Sequence, residues 1–306
     1  IVRYSSMCFH CGNCRWTCLD QSGVMSRYTL EQTGNRAVCI YCGQCVNGCP
    51  GFAMSEREDY PRVSDAIKDE KKTVIANTSP AVRASIAEAF GLSAEFSQGK
   101  LVALLKRLGF NYVFDTNFGA DLTVMEEASE LVSRIRNGGK LPMFTSCCPS
   151  WVRFAELFYP QVLENISSAK SPVCMQGAIV KAWVSGKLDV RPESIVNVAV
   201  TPCTSKKYEI LKDGMDAAGE YLGIDGMRDM DIAITTRELA KWAKEEKIDF
   251  ESLPEMSFDS LNGTGAAAFL VGAVGGFPSG AVMASALFEN GKLTREEAER
   301  LCAISN

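Results

Sequence analysis

The sequence predicts an α/β protein in which a parallel sheet flanked by helices follows a small cysteine-rich module. From about Lys71 onwards, short apolar or β-branched runs alternate with amphipathic stretches, the pattern expected of parallel strands joined by helices. Eight of the 13 cysteines lie in the first 49 residues at a regular spacing, which is not typical of a disulfide scaffold. We therefore expect a module formed by residues 1–60 and a larger domain formed by residues 61–306.

The composition and charge of the chain argue against nucleic-acid and membrane partners. The 306 residues are 46% hydrophobic and 23% charged, as in an ordinary globular protein, and the formal net charge is −5. Acidic and basic residues are interspersed, so no basic stripe indicates binding to nucleic acid or to an anionic membrane surface. No apolar run reaches the roughly 20 residues of a membrane span, and we expect no membrane partner. The chain begins Ile-Val-Arg-Tyr, with neither an initiator Met nor a signal peptide, so we expect the natural N-terminus to lie upstream.

The module contains the pattern Cys-x2-Cys-x2-Cys-x3-Cys twice. The two runs are Cys8, Cys11, Cys14 and Cys18, then Cys39, Cys42, Cys45 and Cys49. In two-cluster ferredoxins the fourth cysteine of each run ligates the cluster of the other run, which predicts two [4Fe–4S] clusters here. The expected ligand sets are Cys8, Cys11, Cys14 and Cys49 for one cluster, and Cys39, Cys42, Cys45 and Cys18 for the other. The alternative is a pair of four-cysteine zinc knuckles.

Cysteine usage also indicates the compartment. Cysteines spaced for metal ligation rather than for disulfides are typical of a reducing environment, so we expect the protein in the cytoplasm. His10 is the only histidine and lies inside the first cysteine run, which argues against zinc catalysis.

Five short runs in the larger domain are predicted to be buried strands, and four amphipathic stretches are predicted to be helices. The predicted strands are Thr73–Asn77, Tyr112–Asp115, Leu141–Phe144, Ile195–Val200 and Asp231–Thr235. The predicted helices are Ala81–Phe90, Leu101–Leu108, Leu122–Asn137 and Trp151–Phe158. In such sheets the binding and catalytic residues lie beyond the carboxyl ends of the strands. Since Ser79, Pro80, Cys147, Cys148 and Cys203 all follow predicted strands, we expect them to share one site.

Two cysteine motifs carry the most specific signal. Thr145–Trp151 reads Thr-Ser-Cys-Cys-Pro-Ser-Trp, and Thr201–Glu209 reads Thr-Pro-Cys-Thr-Ser-Lys-Lys-Tyr-Glu. They resemble, almost letter for letter, the first two active-site signatures of the [FeFe]-hydrogenases. The resemblance implies a hydrogenase H-cluster domain with parallel sheets flanked by helices, preceded by a small α+β ferredoxin-like domain that holds two [4Fe–4S] clusters. It also implies an H-cluster, in which a [4Fe–4S] cube is joined through a cysteine sulfur to a two-iron subsite. That subsite carries CO, cyanide and a bridging dithiolate that contains an amine.

The resemblance implies a role for each residue of the motifs. Cys148 and Cys203 are the implied ligands of the cube, and the adjacent Cys147 is the implied thiol that hands protons to the amine of the bridge. Lys206 is implied to reach a cyanide ligand through a charge-assisted hydrogen bond. The implied pocket is lined by Ser79, Pro80, Thr201 and Pro202. Without the resemblance, adjacent cysteines are ordinary core residues.

One face of a predicted helix supplies a candidate proton path. Its residues are Glu127, Glu130 and Arg134, at positions i, i+3 and i+7. Together with Ser167 and Cys147, these positions match the proton path of the family. An apolar stripe is expected beside it, formed by Leu122, Met125, Leu131 and Ile135. The alternative is a solvated face held by salt bridges.

The sequence departs from the family pattern in three places. Thr201 stands where most members have Met, and Val173-Cys174 replaces a pair of Gln residues, which suggests altered tuning of the pocket. The third signature, a C-terminal Cys-x-x-x-Cys, is absent, and the recognisable part ends near Gly276. Of the later ligands only Cys302 remains, and its amphipathic surroundings indicate a core residue. Omitted residues, a partner chain that supplies the ligands, and a degenerate domain stay open as explanations, and we favour omitted residues.

These features predict an [FeFe]-hydrogenase that reversibly reduces protons to H2, with electrons relayed through two [4Fe–4S] clusters. The expected partners are ferredoxin or another redox protein, and the hydrogenase maturation proteins. The alternative is a non-catalytic iron–sulfur redox sensor or cluster carrier on the same fold, which would need neither a proton-delivering thiol at Cys147 nor a cyanide partner at Lys206. A third interpretation, an electron-transfer subunit of a larger complex, rests on the N-terminal module alone.

Overall fold

The N-terminal module is a two-stranded antiparallel sheet with two short helices. The computed structural model of the protein describes residues 1–93 and 97–259. Strand β1 (Val2–Arg3) pairs with β2 (Met54–Ser55), so the two ends of the module lie side by side. The helices are α1 (Asn13–Trp16) and α2 (Gln44–Asn47). Each is preceded by a glycine with a left-handed backbone, Gly12 at φ 83° and Gly43 at φ 77°. A side chain would strain the backbone there, which explains glycine at the same position of both cysteine runs.

The larger domain is built on a four-stranded parallel sheet flanked by helices, as predicted. Its strands are β3 (Thr73–Thr78), β4 (Tyr112–Asp115), β5 (Ile195–Thr201) and β6 (Ile232–Thr235). The helices before β5 are α3 (Tyr60–Lys68), α4 (Pro80–Glu88), α5 (Gln98–Leu108), α6 (Asn117–Asn137), α7 (Pro149–Phe158), α8 (Pro172–Ile179) and α9 (Ser185–Lys187). The helices after β5 are α10 (Lys206–Glu209), α11 (Ala217–Leu222) and α12 (Thr236–Glu245). The strand order is β4-β3-β5-β6, and every neighbouring pair is parallel.

The core lies on both faces of the sheet. Successive side chains of a strand point to opposite faces, so Val74 packs in the same buried cluster as Leu105 of α5, whereas Ile75 packs with Trp183 on the other face. Val74, Ile75 and Leu105 are completely buried. The near-continuous apolar character of β3 and β5 follows from this burial on both sides.

Four of the five predicted strands are present, and the fifth is not. The segment Leu141–Phe144 forms only a single parallel bridge, from Phe144 to Ile166. The Phe144 N–H donates to the Asn165 carbonyl at 2.7 Å, but Pro142 has no N–H to contribute to a ladder. The first cysteine motif therefore follows a short pairing with the 165–167 segment and does not follow a strand of the main sheet.

The predicted apolar stripe of α6 is wrong for two of its residues. Leu131 and Ile135 are exposed, at 37% and 60% of their surface. The buried residues of α6 are instead Gly119 and Thr123. A Cβ at position 119 would lie 2.3 Å from the Pro172 carbonyl, so the helix approaches α8 closely through a small residue. This contact also explains why α6 begins at Asn117, before the predicted start.

No helix in the described ranges combines the length and the apolar character that spanning a bilayer requires. The predictions that concern residues 260–306, including the segment near Gly276 and the helix around Cys302, lie outside the described residues.

Candidate metal centres and active site

The second cysteine motif forms the loop that follows β5. Cys203 is half-buried, and its Sγ lies 2.9 Å from the Ser205 Oγ. The Cys203 N–H donates to the Thr201 Oγ1 at 3.4 Å, which folds the loop back on the end of the strand. Thr201 is buried and Pro202 is exposed. The loop then turns into α10, whose first residue is Lys206.

Lys206 connects the two cysteine motifs. Its Nζ donates to the Cys147 carbonyl at 3.0 Å and to the Glu209 Oε2 at 2.8 Å. The side chains of Lys206 and Glu209 are only 9% and 5% exposed. The Ser171 Oγ donates to the same carboxylate oxygen at 3.0 Å. A buried ion pair of this kind is costly unless its remaining bonds are satisfied, and here the extra partners fix the lysine in one place.

The buried thiol of Cys174 lies beside this ion pair. Burial, and then the negative charge of Glu209, raise the pKa of Cys174 to about 12. Cys174 is completely buried among apolar residues such as Met230. The thiol is therefore neutral at physiological pH, in agreement with a packing role at this departure from the family pattern.

Cys147 and Cys148 lie in a surface-exposed segment that is held from two sides. The Ser146 N–H donates to the Glu127 Oε1 at 3.2 Å, and the Ser146 Oγ donates to the Ala169 carbonyl. Cys148 is the N-cap residue of α7, so the chain becomes helical directly after it. Both thiols are exposed among the described residues, and each is free to bind a metal or to exchange a proton.

Glu130 is the centre of a hydrogen-bonded group on α6. Its Oε2 accepts from the Ser167 Oγ at 2.6 Å and from the Ser168 N–H at 3.0 Å, and its Oε1 accepts from the Arg134 Nε at 3.0 Å. Partial burial raises the pKa of Glu130, but the bonds from Ser167 and Arg134 outweigh it, so the pKa lies below its usual value. Glu127 bonds to Ser146 instead of to this group. The residues of the predicted path therefore fall into two hydrogen-bonded groups, one at Glu130 and one beside Cys147.

Ser79 and Pro80 lie at the carboxyl end of β3, next to the second motif. The Ser79 N–H donates to the Val200 carbonyl of β5 at 2.8 Å, and Pro80 is the first residue of α4. Both are close in the fold to Thr201, as the sequence predicts for residues beyond neighbouring strand ends.

The second cluster's predicted ligands lie together in the module. Burial, and then repulsion from the thiolate charges of Cys39, Cys42 and Cys18, raise the pKa of Cys45 to about 11. These are the four cysteines assigned to one cluster. In the described part of the chain, no three His, Cys, Asp or Glu side chains are close enough to hold a single metal ion.

Cys49, assigned to the other cluster, is surrounded by backbone donors. Hydrogen bonds from the N–H groups of Met54, Ala53, Gly51 and Phe52, with Met54 the strongest, lower the pKa of Cys49. Backbone N–H groups beside a sulfur favour its anionic thiolate form.

The second cysteine run packs directly on the second motif. The Thr204 Oγ1 donates to the Tyr41 carbonyl at 2.8 Å, and the rings of Tyr41 and Tyr208 are stacked with centroids 4.5 Å apart. A Cβ at Gly43 would lie 2.5 Å from the Thr204 Oγ1, so glycine is required for this approach as well as for its backbone angle. The segment that would hold one cluster and the loop of Cys203 are therefore in contact.

Ion pairs also connect the end of the module to the larger domain beside α10. Lys207 donates to Asp59, to Glu238 and to the Ala233 carbonyl, each at 2.8 Å. Burial raises the pKa of Asp59, but the bond from Lys207 and its positive charge lower it more. Arg237 pairs with Glu56 in the same way, and the pKa of Glu56 is also lowered.

Sequence reasoning missed several of these residues. Glu209, Ser171, Thr204 and Lys207 all contact the predicted site or its junction with the module. The oppositely charged pair Lys206 and Glu209, three residues apart on a short helix, was a signal that could have identified one of them.

Comparisons with known proteins agree with this geometry. The family described as iron only hydrogenase large subunit, C-terminal domain, matches residues 72–304, so the resemblance extends past Gly276 and the expected end there is wrong. Iron hydrogenase 1 of Clostridium pasteurianum is 41% identical over 90% of this chain and 54% of its own length. The cytosolic Fe–S cluster assembly factor NAR1 of Botryotinia fuckeliana is 34% identical over 70% of this chain and 40% of its own length.

A solved structure of an [FeFe]-hydrogenase from Chlamydomonas reinhardtii has a TM-score of 0.61 and 39% identity, covering 66% of this chain and 50% of that chain. The chain thus spans about half the length of these hydrogenases. Because the family match covers residues 72–304 and carries both cysteine motifs, the chain belongs to the iron-only hydrogenase family.

Proposed function

We propose that this chain forms the relay module and the first half of the catalytic site of an [FeFe]-hydrogenase, which reversibly reduces protons to H2. The observation that carries the proposal is the buried lysine at position 206. Lys206 is held between Cys147 and Glu209 at the carboxyl end of β5, in a fold whose relatives include iron hydrogenases. A desolvated, fixed cation is a strong donor to an anionic ligand, and a protein that only carries clusters has no use for one.

The proposed cofactors are assigned to the cysteines of the two motifs and of the module. Cys148 and Cys203 would hold the cube of an H-cluster, and the eight cysteines of the module would hold two [4Fe–4S] clusters. The H-cluster, when bound, supplies the metal centre at which protons and electrons combine. Ser79, Pro80, Thr201 and Pro202 would line its pocket, and Cys147, whose carbonyl accepts from Lys206, would present its thiol there.

The protein's own residues would deliver protons. Glu130 is held ionised at neutral pH by Arg134 and Ser167, so it can accept a proton from outside and pass it on through the Ser167 hydroxyl. Glu127 lies one hydrogen bond from the backbone of Ser146, the residue before Cys147. The group around Glu130 and the carboxylate of Glu127 need a bridging water or a small rotation of Glu127 to form a continuous path.

The contact between the module and the second motif would carry electrons. Tyr41 lies between Cys39 and Cys42 in sequence, and its carbonyl is bonded to the side chain of Thr204, the residue after Cys203. Of the two clusters, the one bound by Cys39, Cys42, Cys45 and Cys18 would therefore be the direct donor to the active site, and the other would be closer to an external partner.

The second candidate is an iron–sulfur assembly factor or cluster carrier, and the similarity to the fungal assembly factor favours it. The two candidates differ in what Cys147 must do. A cluster carrier depends on ligands such as Cys148, whereas a hydrogenase also depends on the neighbouring thiol.

The experiment compares Cys147→Ser and Cys148→Ser in the complete polypeptide, produced with the hydrogenase maturation proteins. We expect Fe-bound CO and cyanide infrared bands and H2 evolution in the parent. Cys147→Ser should retain the iron content but lose at least about a hundredfold in turnover, because a serine hydroxyl has a mismatched pKa for proton transfer. Cys148→Ser should lose the cube. The absence of CO and cyanide bands from the matured parent would favour the assembly factor.

A further inference from the structure

An exposed apolar surface is formed by residues beside Cys8 and Cys49, two of the cysteines assigned to the first cluster. It is formed by Tyr4, Met7, Phe9 and Phe52, which are 44%, 49%, 62% and 78% exposed. A Cβ at Gly51 would lie 2.6 Å from the Phe9 ring and 3.3 Å from the Met7 carbonyl, so Phe9 rests on the turn that carries Phe52. The Tyr4 N–H donates to the Ala53 carbonyl at 2.8 Å, which adds Tyr4 to the same patch. We call these four residues the aromatic patch.

Phe52 is in a conformation that its side chain does not favour. Its backbone has φ 52°, in the left-handed region that suits glycine and asparagine and is strained for a bulky residue. The backbone turn itself has a purpose, since the Phe52 N–H donates to the Cys49 carbonyl at 3.2 Å and closes the turn that follows this cysteine. The aromatic ring does not contribute to that purpose and is almost fully exposed. Folding alone therefore does not explain phenylalanine at this position.

The two segments that form the aromatic patch carry positive charge, and the exposed Asp20 directly follows the first of them. These segments, residues 1–19 and 50–55, contain Arg3 and Arg15 and no Asp or Glu, in a chain whose net charge is −5. The Arg3 guanidinium lies 3.5 Å from the His10 Nδ1, beside Cys11. The nearby carboxylates of Glu56 and Asp59 do not alter this, because they are turned to the larger domain and paired with Arg237 and Lys207.

We propose that the aromatic patch is the docking surface for a small electron-carrier protein with an acidic face, which exchanges electrons with the cluster bound by Cys8, Cys11, Cys14 and Cys49. The exposed rings supply the desolvated centre of an interface, and Arg3 and Arg15 supply a rim that attracts carboxylates. The patch residues flank two of the assigned ligands, since Met7 and Phe9 adjoin Cys8 and Phe52 lies three residues after Cys49, so a carrier seated there contacts the segments that would hold this cluster. This inference rests on the proposed function, because it names the external partner of the same electron path.

The test is binding of an acidic bacterial two-[4Fe–4S] ferredoxin to the iron-loaded complete polypeptide, measured by titration calorimetry at low and moderate salt. Phe52→Asn is the central variant, because asparagine tolerates the left-handed backbone and keeps the N–H that faces Cys49. We expect its Kd for ferredoxin to rise about tenfold, while its melting temperature and iron content stay equal to or above those of the parent. A purely structural role for the ring would lower the melting temperature instead.

Charge and control variants complete the experiment. Arg15→Glu should raise the Kd and weaken its dependence on salt, and a basic cytochrome c should bind worse than ferredoxin. Leu211→Asn alters an apolar residue of the larger domain that is 55% exposed and should leave the Kd unchanged. A Phe52→Asn Kd within twofold of the parent overturns the proposal. So does a concentration-dependent dimer of the parent that Phe52→Asn dissociates, since the patch would then be covered by a second copy. Viologen-driven H2 turnover of the parent, measured separately, tests the proposed function without involving the patch.

Discussion

The N-terminal module and the larger domain are stabilised by different means. In residues 1–55 only three apolar side chains are buried, those of Val24, Ile40 and Ala53. The larger domain has apolar clusters on both faces of its sheet, with Ile75 and Leu105 completely buried. A segment of this size with so little apolar burial offsets little of the conformational entropy of folding, so we expect metal bound by its eight cysteines to stabilise it. The domain can fold on its core alone.

Removal of iron should separate the two regions most clearly. With an iron chelator and a reductant, we expect the amides of residues 1–55 to lose nearly all protection from hydrogen exchange, because the module has no core to replace its ligands. The amides of β3 and β5 should change less than about threefold. The measurement is hydrogen exchange with mass spectrometry on holo and apo protein. Equal loss in both regions would mean that the sheet also depends on the clusters.

A core truncation should give the opposite result. Leu105→Ala should destabilise the larger domain by about 3 kcal/mol, because it leaves a cavity beside Val74 in a fully buried cluster. Denaturant unfolding followed by tryptophan fluorescence gives this value. The iron content of the module and its visible absorption should match those of the parent at low denaturant, whereas a parallel loss of iron would contradict the independence of the two regions.

The ion pairs between the regions should couple them. Lys207→Met leaves the buried carboxylates of Asp59 and Glu238 without their shared cation, and we expect a loss of about 3 kcal/mol. Lys241→Met is the matched control, since Lys241 pairs with Glu58 at the surface and should cost less than about 1 kcal/mol. Thermal unfolding of both variants distinguishes the two cases.

The same junction should weaken in acid. The pKa values of Asp59 and Glu56 are lowered in the folded protein, so their stabilisation is complete above their unfolded pKa values and is lost as the pH falls through the folded ones. We expect protease sensitivity between residues 50 and 60 to rise below about pH 4. In Lys207→Met this acid dependence should be smaller, and an unchanged profile would show that other carboxylates are responsible.

The smallest effect is expected from the hydrogen bond between Thr204 and Tyr41. Thr204→Val keeps the volume but removes the donor, which should cost about 1 kcal/mol. If this contact carries electrons, the variant should also slow reduction of the active site by the module, followed by freeze-quench spectroscopy. Thr204→Ser retains the hydroxyl and should behave like the parent.

Sequence patterns predicted the sheet well and the site in part. β3, β4, β5 and β6 are short, near-continuous apolar runs, so their positions were predictable from local sequence to within a residue or so. The strand predicted at Leu141–Phe144 failed because its pairing partner, residues 165–167, is not apparent in any local pattern. The position of Lys206 followed from a motif, but its bonds to Cys147 and Glu209 depend on how two distant segments meet. Long-range contacts such as that of Lys207 with Asp59, 148 residues away, have no local signal at all.

The two adjacent lysines that begin α10 contact different parts of the molecule. Lys206 reaches into the site, and Lys207 reaches the junction with the module. Consecutive residues of a helix are rotated by about 100°, so adding or deleting one residue in the loop 202–205 would turn both side chains away from their present partners. Both the pocket and the interface would then be lost together. Surface loops usually tolerate changes of length, but the length of this loop is fixed by the angular register of the helix that follows it.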